Sequence, residues 1–306
     1  MERTNAMTRR AAFILNGQAA QGGGRAWFDA NRRAVESVAA GGLIVVAEGG
    51  EAIQDATRRA LDTGCEVIVA GGGDGTLNAV ASKVIHQPVD FGVLPLGTLN
   101  HFAKDAGIPL DPLVALQSIA VGHVSAIDVG EVNGTIFLNN SSIGLYVDLV
   151  RDRDRQQLRL GRGKWAAFAW ALVGALRRYP FMDVELGVDG KVHAYRTPFV
   201  FVGNNAYEIE GLQIGRRAEL RNGVLSAYVA ERAGRWRLFE LGVRALVGRI
   251  RQERDFQVFV GNRLRIETRH RELRVAIDGE LRQMRAPLQY RILPRALRVI
   301  VPATRG

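Results

Sequence analysis

The stretch EVIVAGGGDGTLNAVASKVI, residues 66–85, constrains the fold of this chain more than any other. An apolar run at Val67–Ala70 passes directly into Gly71, Gly72, Gly73, Asp74, Gly75 and Thr76, and a helical pattern follows. Strand, glycine-rich turn and helix in that order are half of a βαβ unit, which calls for a parallel sheet with crossover helices. Glycine lets a backbone approach a ligand closely. The N–H groups of such a turn, with the positive end of the helix behind them, form a site for an anion such as phosphate. Thr76 is placed to cap the helix and to donate its hydroxyl to a phosphate oxygen. Two other phosphate loops are excluded by spelling. No Lys follows, as GxxxxGK[ST] needs, and Thr76 stands where GxGxxG needs Gly.

The neighbouring sequence continues the alternation. Strands are expected at Ala11–Leu15, Leu43–Val46, Glu66–Ala70, Phe91–Leu94 and Ser125–Val129, with helices at Arg25–Ala40, Glu51–Thr63 and Thr76–Ile85. Asp111-Pro112 opens a further helix and Gly64 closes the second. A second loop, Gly97, Thr98 and Asn100 in LPLGTLNHFA, follows another strand at the carboxyl edge where open α/β sheets bind ligands. By itself it reads equally well as a plain turn. After about residue 130 the pattern changes. Asn133-Gly134, Asp189-Gly190, Asn222-Gly223 and Gly261-Asn262 each separate one apolar run from the next, the signature of antiparallel hairpins. The fold class is therefore α/β: an N-terminal parallel-sheet domain over 1–130, which 291–306 could complete, then mostly antiparallel β-structure over 131–290.

A length of 306 residues suits two domains. The net charge of +10 favours an anionic partner. No zinc-finger spacing, RNA-binding signature or basic-region heptad is legible, so nucleic acid is not expected. The apolar core at Ala11–Leu15 is broken by Asn16 and Gly17, too short for a signal peptide, and Trp165–Leu176 is too short to span a bilayer. The single cysteine, Cys65, fits a reducing compartment and reads as a buried thiol. No GxSxG elbow supports hydrolase chemistry, and His86, His123, His193 and His270 lack metal-ligand spacing. Asp278-Gly279 followed by Glu280 suits a base beside a metal ligand, although spacing alone fits an ordinary turn with a solvated Glu280 better.

GGGDGT, then LPLGTLNHFA, Ile127-Asp128, Gly203-Asn204, Asn222-Gly223, Ile277-Asp278-Gly279-Glu280 and the closing ILPRALRVIVP occur in an order that resembles the diacylglycerol kinases, sphingosine kinases and bacterial YegS-type lipid kinases. The resemblance implies transfer of the ATP γ-phosphoryl group to a lipid hydroxyl, diacylglycerol first among acceptors, with Mg²⁺ required. It implies that Gly71, Gly72, Gly73, Asp74, Gly75 and Thr76 hold the ATP phosphates and that Thr98 touches nucleotide with Asn100 in support. Asp278 becomes the general base, Glu280 its neighbour, and Asp74, Asp128 and Glu280 a metal network. The fold that the resemblance implies is an α/β nucleotide-binding domain (1–130) followed by a β-sandwich-like lipid-substrate domain (131–290), with the site in a cleft between them. His101 stands where the family usually has Asp, and Asn222 where many relatives have Asp. Mg²⁺ prefers oxygen ligands, so His101 is a poor replacement.

Trp165, Phe168 and Trp170 in one expected helix (about 157–178) and Trp236, Leu238 and Phe239 in another (about 233–254) lie among arginines. Such helices suit an anionic membrane surface, or simply core packing with a solvated Arg face. The sequence thus points to a cytoplasmic, peripherally membrane-associated lipid kinase, with a homodimer left open. Its rivals are a soluble NAD kinase-like enzyme and a catalytically impaired lipid-binding regulator.

Overall fold

A computed structural model describes residues 9–144, 181–207, 209–210, 213–214, 217, 219–230 and 256–303. Both Arg-rich helical patterns lie outside these residues. The chain divides into two compact units, Met1–Val129 with Pro294–Gly306, and Gly130–Leu293. In order, the elements of the first stretch are β1 (Ala11–Asn16), α1 (Ala19–Ala39), β2 (Ile44–Ala47), α2 (Gly50–Asp62), β3 (Val67–Gly72), α3 (Asp74–Val84), β4 (Asp90–Pro95), α4 (His101–Asp105), α5 (Pro112–Val121) and β5 (His123–Val132). There follow β6 (Thr135–Phe137), β7 (Asn140–Gly144), β8 (Met182–Val188), β9 (Lys191–Thr197), β10 (Phe199–Asn204), β11 (Ile209–Glu210), β12 (Gln213–Ile214) and β13 (Leu225–Ala230). The last are β14 (Phe256–Gly261), β15 (Arg263–Thr268), β16 (Glu272–Ile277), β17 (Glu280–Arg285) and β18 (Leu288–Val301).

In the first unit, β2, β1, β3 and β4 run parallel in that order, and the end of β18 joins β4 with Val299 opposite Phe91. The strands read as unbroken apolar runs because both faces are covered: Ala11–Leu15 and Val67–Ala70 are fully buried. Right-handed crossovers put α1 on one face and α2 and α3 on the other, and the observed contacts pair α2 with α3 and α1 with α5. Ile53, Ala56, Thr57 and Ala60 form the buried stripe of α2, and Gly64 turns the chain out of it at φ +65°. The Asp111 carboxylate accepts the N–H groups of Leu113 and Val114 at the start of α5. Cys65 is buried, and burial pushes its thiol above the usual range, which keeps it protonated and unreactive. Asp90, also buried, accepts from Arg9 and from Arg298 (2.8 Å), and so ties β4 to the end of β18.

Helix α1 begins at Ala19, six residues before the expected Arg25. Glycines 22–24 hide the start, since glycine weakens helical patterning. Gly24 is there because a Cβ would sit 2.1 Å from the Asn16 carbonyl oxygen. Helix α3 likewise begins at Asp74, before the expected Thr76.

In the second unit, β14, β13, β10, β7, β16 and β17 form an antiparallel sheet in that order, and β15 lies between β8 and the first half of β18, with β9 beyond β8. Val200, Val202, Val229 and Val275 from the first set and Leu186, Leu264, Ile266 and Leu288 from the second share one core, the arrangement of a β-sandwich. Asn133-Gly134 and Asp189-Gly190 make two-residue hairpins with both residues at positive φ. The other two expected hairpins are corrected. At Gly261-Asn262 the chain changes sheets: β14 stays beside β13, whereas β15 pairs with β8 and β18. Asn222 belongs to the approach to β13, its N–H donated to the Asn205 side chain. A run-turn-run pattern names a turn and does not say whether the flanking strands meet.

Candidate active site

The strand order 2-1-3-4 reverses direction between β1 and β3, which brings the carboxyl ends of those strands together at a crevice. Asn16 ends β1 and Gly71-Gly72 end β3, with Leu15 opposite Gly71. Gly73 is the N-cap of α3 and has no side chain to cap it, so Thr76 is not its cap. Instead the Thr76 hydroxyl, nearly buried, accepts a hydrogen bond from Asn16 Nδ2 at 3.0 Å. Asn16 Oδ1 in turn accepts the Gln18 N–H, which fixes the amide. With glycine at its cap, the positive end of α3 suits an anion.

The second loop lies against the first. A Cβ on Gly97 would be 2.4 Å from Gly73 Cα and 3.0 Å from Gly73 N. Asn100, at φ +49°, closes the loop on itself: its Oδ1 accepts the Gly97 N–H (3.1 Å) and its Nδ2 donates to the Gly97 carbonyl (2.8 Å). Asp74 joins the two loops by accepting the backbone N–H groups of His101 (3.1 Å) and Phe102 (3.0 Å). Thr98 is exposed beside them, and the His101 side chain is exposed as well. Gly71–Thr76, Thr98 and Asn100 thus lie on two adjoining loops of a single unit. We expect Gly97→Ala to force these backbones apart at a cost of about 1–3 kcal/mol, the usual range for overpacking. Thermal unfolding would register this as a lowered melting temperature, together with weaker nucleotide binding.

In the second unit Asp278 occupies the β16–β17 hairpin turn at φ +47°, followed by Gly279 at φ +86°. Its carboxylate points back to the residues at the start of β7. Oδ2 accepts the Leu138 N–H (2.7 Å), and Oδ1 accepts those of Asn139 (2.8 Å) and Asn140 (3.1 Å). This is more than an ordinary turn aspartate does, for three backbone donors converge on one charged group. Glu280 next to it is exposed, 3.6 Å from Arg282. Asp128, on β5, is 1% exposed and holds the Arg295 N–H at 2.9 Å.

Among the described residues no three or more His, Cys, Asp or Glu side chains lie together as a metal-binding group. Mg²⁺ commonly takes only one or two carboxylates, with waters and substrate phosphates completing its shell. Asp74, an oxygen donor bordering the glycine loop, fits that pattern. The residues that the sequence did not single out are Asn16 and, in the second unit, Arg217 and Tyr207. The only hint of Asn16 was a polar residue ending a buried strand.

The diacylglycerol kinase catalytic domain family matches residues 10–132. The YegS C-terminal, NAD kinase β-sandwich-like domain matches residues 141–301, more than half of the chain. The chain belongs to the family of diacylglycerol kinases and YegS-like lipid kinases. It is 39% identical over 142 residues to a probable YegS-like lipid kinase of Pseudomonas fluorescens, a stretch that covers 44% of this chain and 45% of that relative. Longer matches at 27% identity join it to diacylglycerol kinases of Bacillus subtilis, over 78% of each chain, and Staphylococcus aureus, over 82% of this chain and 80% of that one. A crystal structure described as a putative diacylglycerol kinase from Bacillus anthracis superposes with a TM-score of 0.75 over 98% of both chains at 22% identity. A second from the same organism gives 0.73 at 21% identity, over 99% of this chain. At those identities the likeness establishes the shared fold of this lipid kinase.

Proposed function

We propose that this lipid kinase transfers the γ-phosphoryl group of ATP to the hydroxyl of a diacylglycerol-type lipid. The observation that carries the nucleotide half is the pair of interlocked loops at the carboxyl edge of β3 and β4, with glycine at the helix cap and the Asn16-held Thr76 hydroxyl. Backbone donors fixed in this way bind phosphate without reorganising, which is where most of the catalysis of phosphoryl transfer lies. Asp74 would hold Mg²⁺ together with the phosphate oxygens, and the ion would supply charge neutralisation there. Asp128 is better accounted for as a buried support for Arg295, and Glu280 as an exposed neighbour of the base. Asp278 accepts the lipid hydroxyl proton in this reading, its orientation set by the three N–H groups of Leu138–Asn140.

A lipid acceptor sits in a bilayer, so an anionic membrane surface is the natural partner of a chain with net charge +10. Among the described residues no helix is long and apolar enough to cross a membrane. Offering ATP with diacylglycerol vesicles in one reaction and with NAD in another tests the acceptor class. Phosphate transfer to the vesicles alone is the expected result; transfer to NAD alone would replace the lipid reading with a soluble NAD kinase.

A further inference from the structure

We propose that Arg217 is a positioning residue for Asp278, acting through the peptide group that joins Leu138 to Asn139. Arg217 is 3% exposed. Its Nη1 donates to the carbonyl oxygens of Leu138 (2.6 Å) and Asn204 (3.2 Å), and its Nη2 donates to Asn139 Oδ1 (2.8 Å). The guanidinium carbon also lies 5.6 Å from the centre of the Tyr207 ring. Asp278 holds the N–H groups of the same short segment from the other side. One peptide group therefore has a buried cation at its carbonyl end and the Asp278 carboxylate at its N–H end.

A buried guanidinium is costly to desolvate, and it persists only where several acceptors are held in place for it. Here two of those acceptors, the Leu138 carbonyl and Asn139 Oδ1, belong to the segment that orients Asp278. Asn204 Nδ2 adds a bond to the Leu138 carbonyl (2.9 Å), and the Tyr207 hydroxyl adds one to the Asn139 carbonyl (3.0 Å). With its carbonyls fixed from one side, the segment offers its three N–H groups in fixed directions on the other. Opposite charges at the two ends of a peptide group polarise it and strengthen both sets of bonds. The planar fork of Arg reaches three separate acceptors at once, which a lysine ammonium does not reproduce. Loosening this side would let the Asp278 carboxylate shift, and small displacements of a reacting group are expensive in rate.

The inference rests on Asp278 being the base, and the test separates the two. Arg217→Lys is measured for kcat, KM for diacylglycerol in mixed vesicles, ATP affinity and melting temperature, alone and combined with Asp278→Asn. We expect kcat to fall about tenfold to hundredfold with KM and ATP affinity nearly unchanged. Arg217→Lys should cost nothing further once Asp278 is replaced, because residues acting as a unit are not additive. Wild-type kcat in a folded Arg217→Lys enzyme, or an equal loss in both backgrounds, overturns the role of Arg217. Unchanged turnover in Asp278→Asn alone overturns the base assignment instead. Should Arg217→Lys not fold, Asn139→Ala removes the acceptor of Nη2; a several-fold fall in its kcat supports the proposal, and wild-type kcat contradicts it.

Discussion

Gly73→Val is expected to abolish ATP binding while leaving the melting temperature close to that of the wild type. Gly73 sits at φ −87°, ψ −177°, extended backbone that valine adopts readily. A Cβ there would be 3.4 Å from Gly97 Cα, an ordinary contact. The fold therefore has room for the Cβ, whereas the branched side chain would stand at the start of α3, where phosphate must meet the N–H groups. Gly72 and Gly97 are poorer choices for the experiment, since a Cβ on either would strike Thr76 or the Gly73 backbone. Titration calorimetry with ATP and a thermal melt on the same sample decide the matter. Undiminished ATP affinity in the folded variant would remove the glycine loop from the account.

Asp278→Asn should lower turnover by roughly 10²–10⁴-fold, the usual worth of a positioned base, with ATP affinity little changed. The geometry adds a second consequence. Asn offers one oxygen, so its NH₂ would be turned toward at least one of the N–H donors of Leu138, Asn139 and Asn140. Leaving a buried donor without an acceptor costs about 1–3 kcal/mol, so the melting temperature should fall as well. Turnover must be expressed per folded molecule. A loss below about tenfold on that basis would mean that Asp278 only braces the turn.

Much of the first unit was legible because its strands are buried on both faces and its helices are amphipathic, so apolar runs and 3.6-residue stripes mark them directly. The glycine loop was legible for a related reason: few structures other than a close backbone approach need so many glycines after a strand. Tertiary bonds were not legible. Asn16 meets Thr76 across 60 residues and Arg217 meets Leu138 across 79, and neither residue type announces such a partner. Thr76 shows the limit of local rules, for a residue of capping type two positions into the helix is held by a neighbouring strand. In the second unit the turns were found, but the pairing of strands across them held only at Asn133-Gly134 and Asp189-Gly190. Val260 and Leu264 flank Gly261-Asn262 alike in sequence, yet the strands they belong to go to different partners.

The central claim, phosphoryl transfer from ATP to a lipid hydroxyl, is tested most directly by incubating the protein with ATP labelled in its γ-phosphate and a total lipid extract, then analysing the products by mass spectrometry. The account predicts label in one class of lipid, each member heavier by a single phosphoryl group, with phosphatidic acid as the foremost product. Label confined to water-soluble products, or released only as inorganic phosphate, would contradict it.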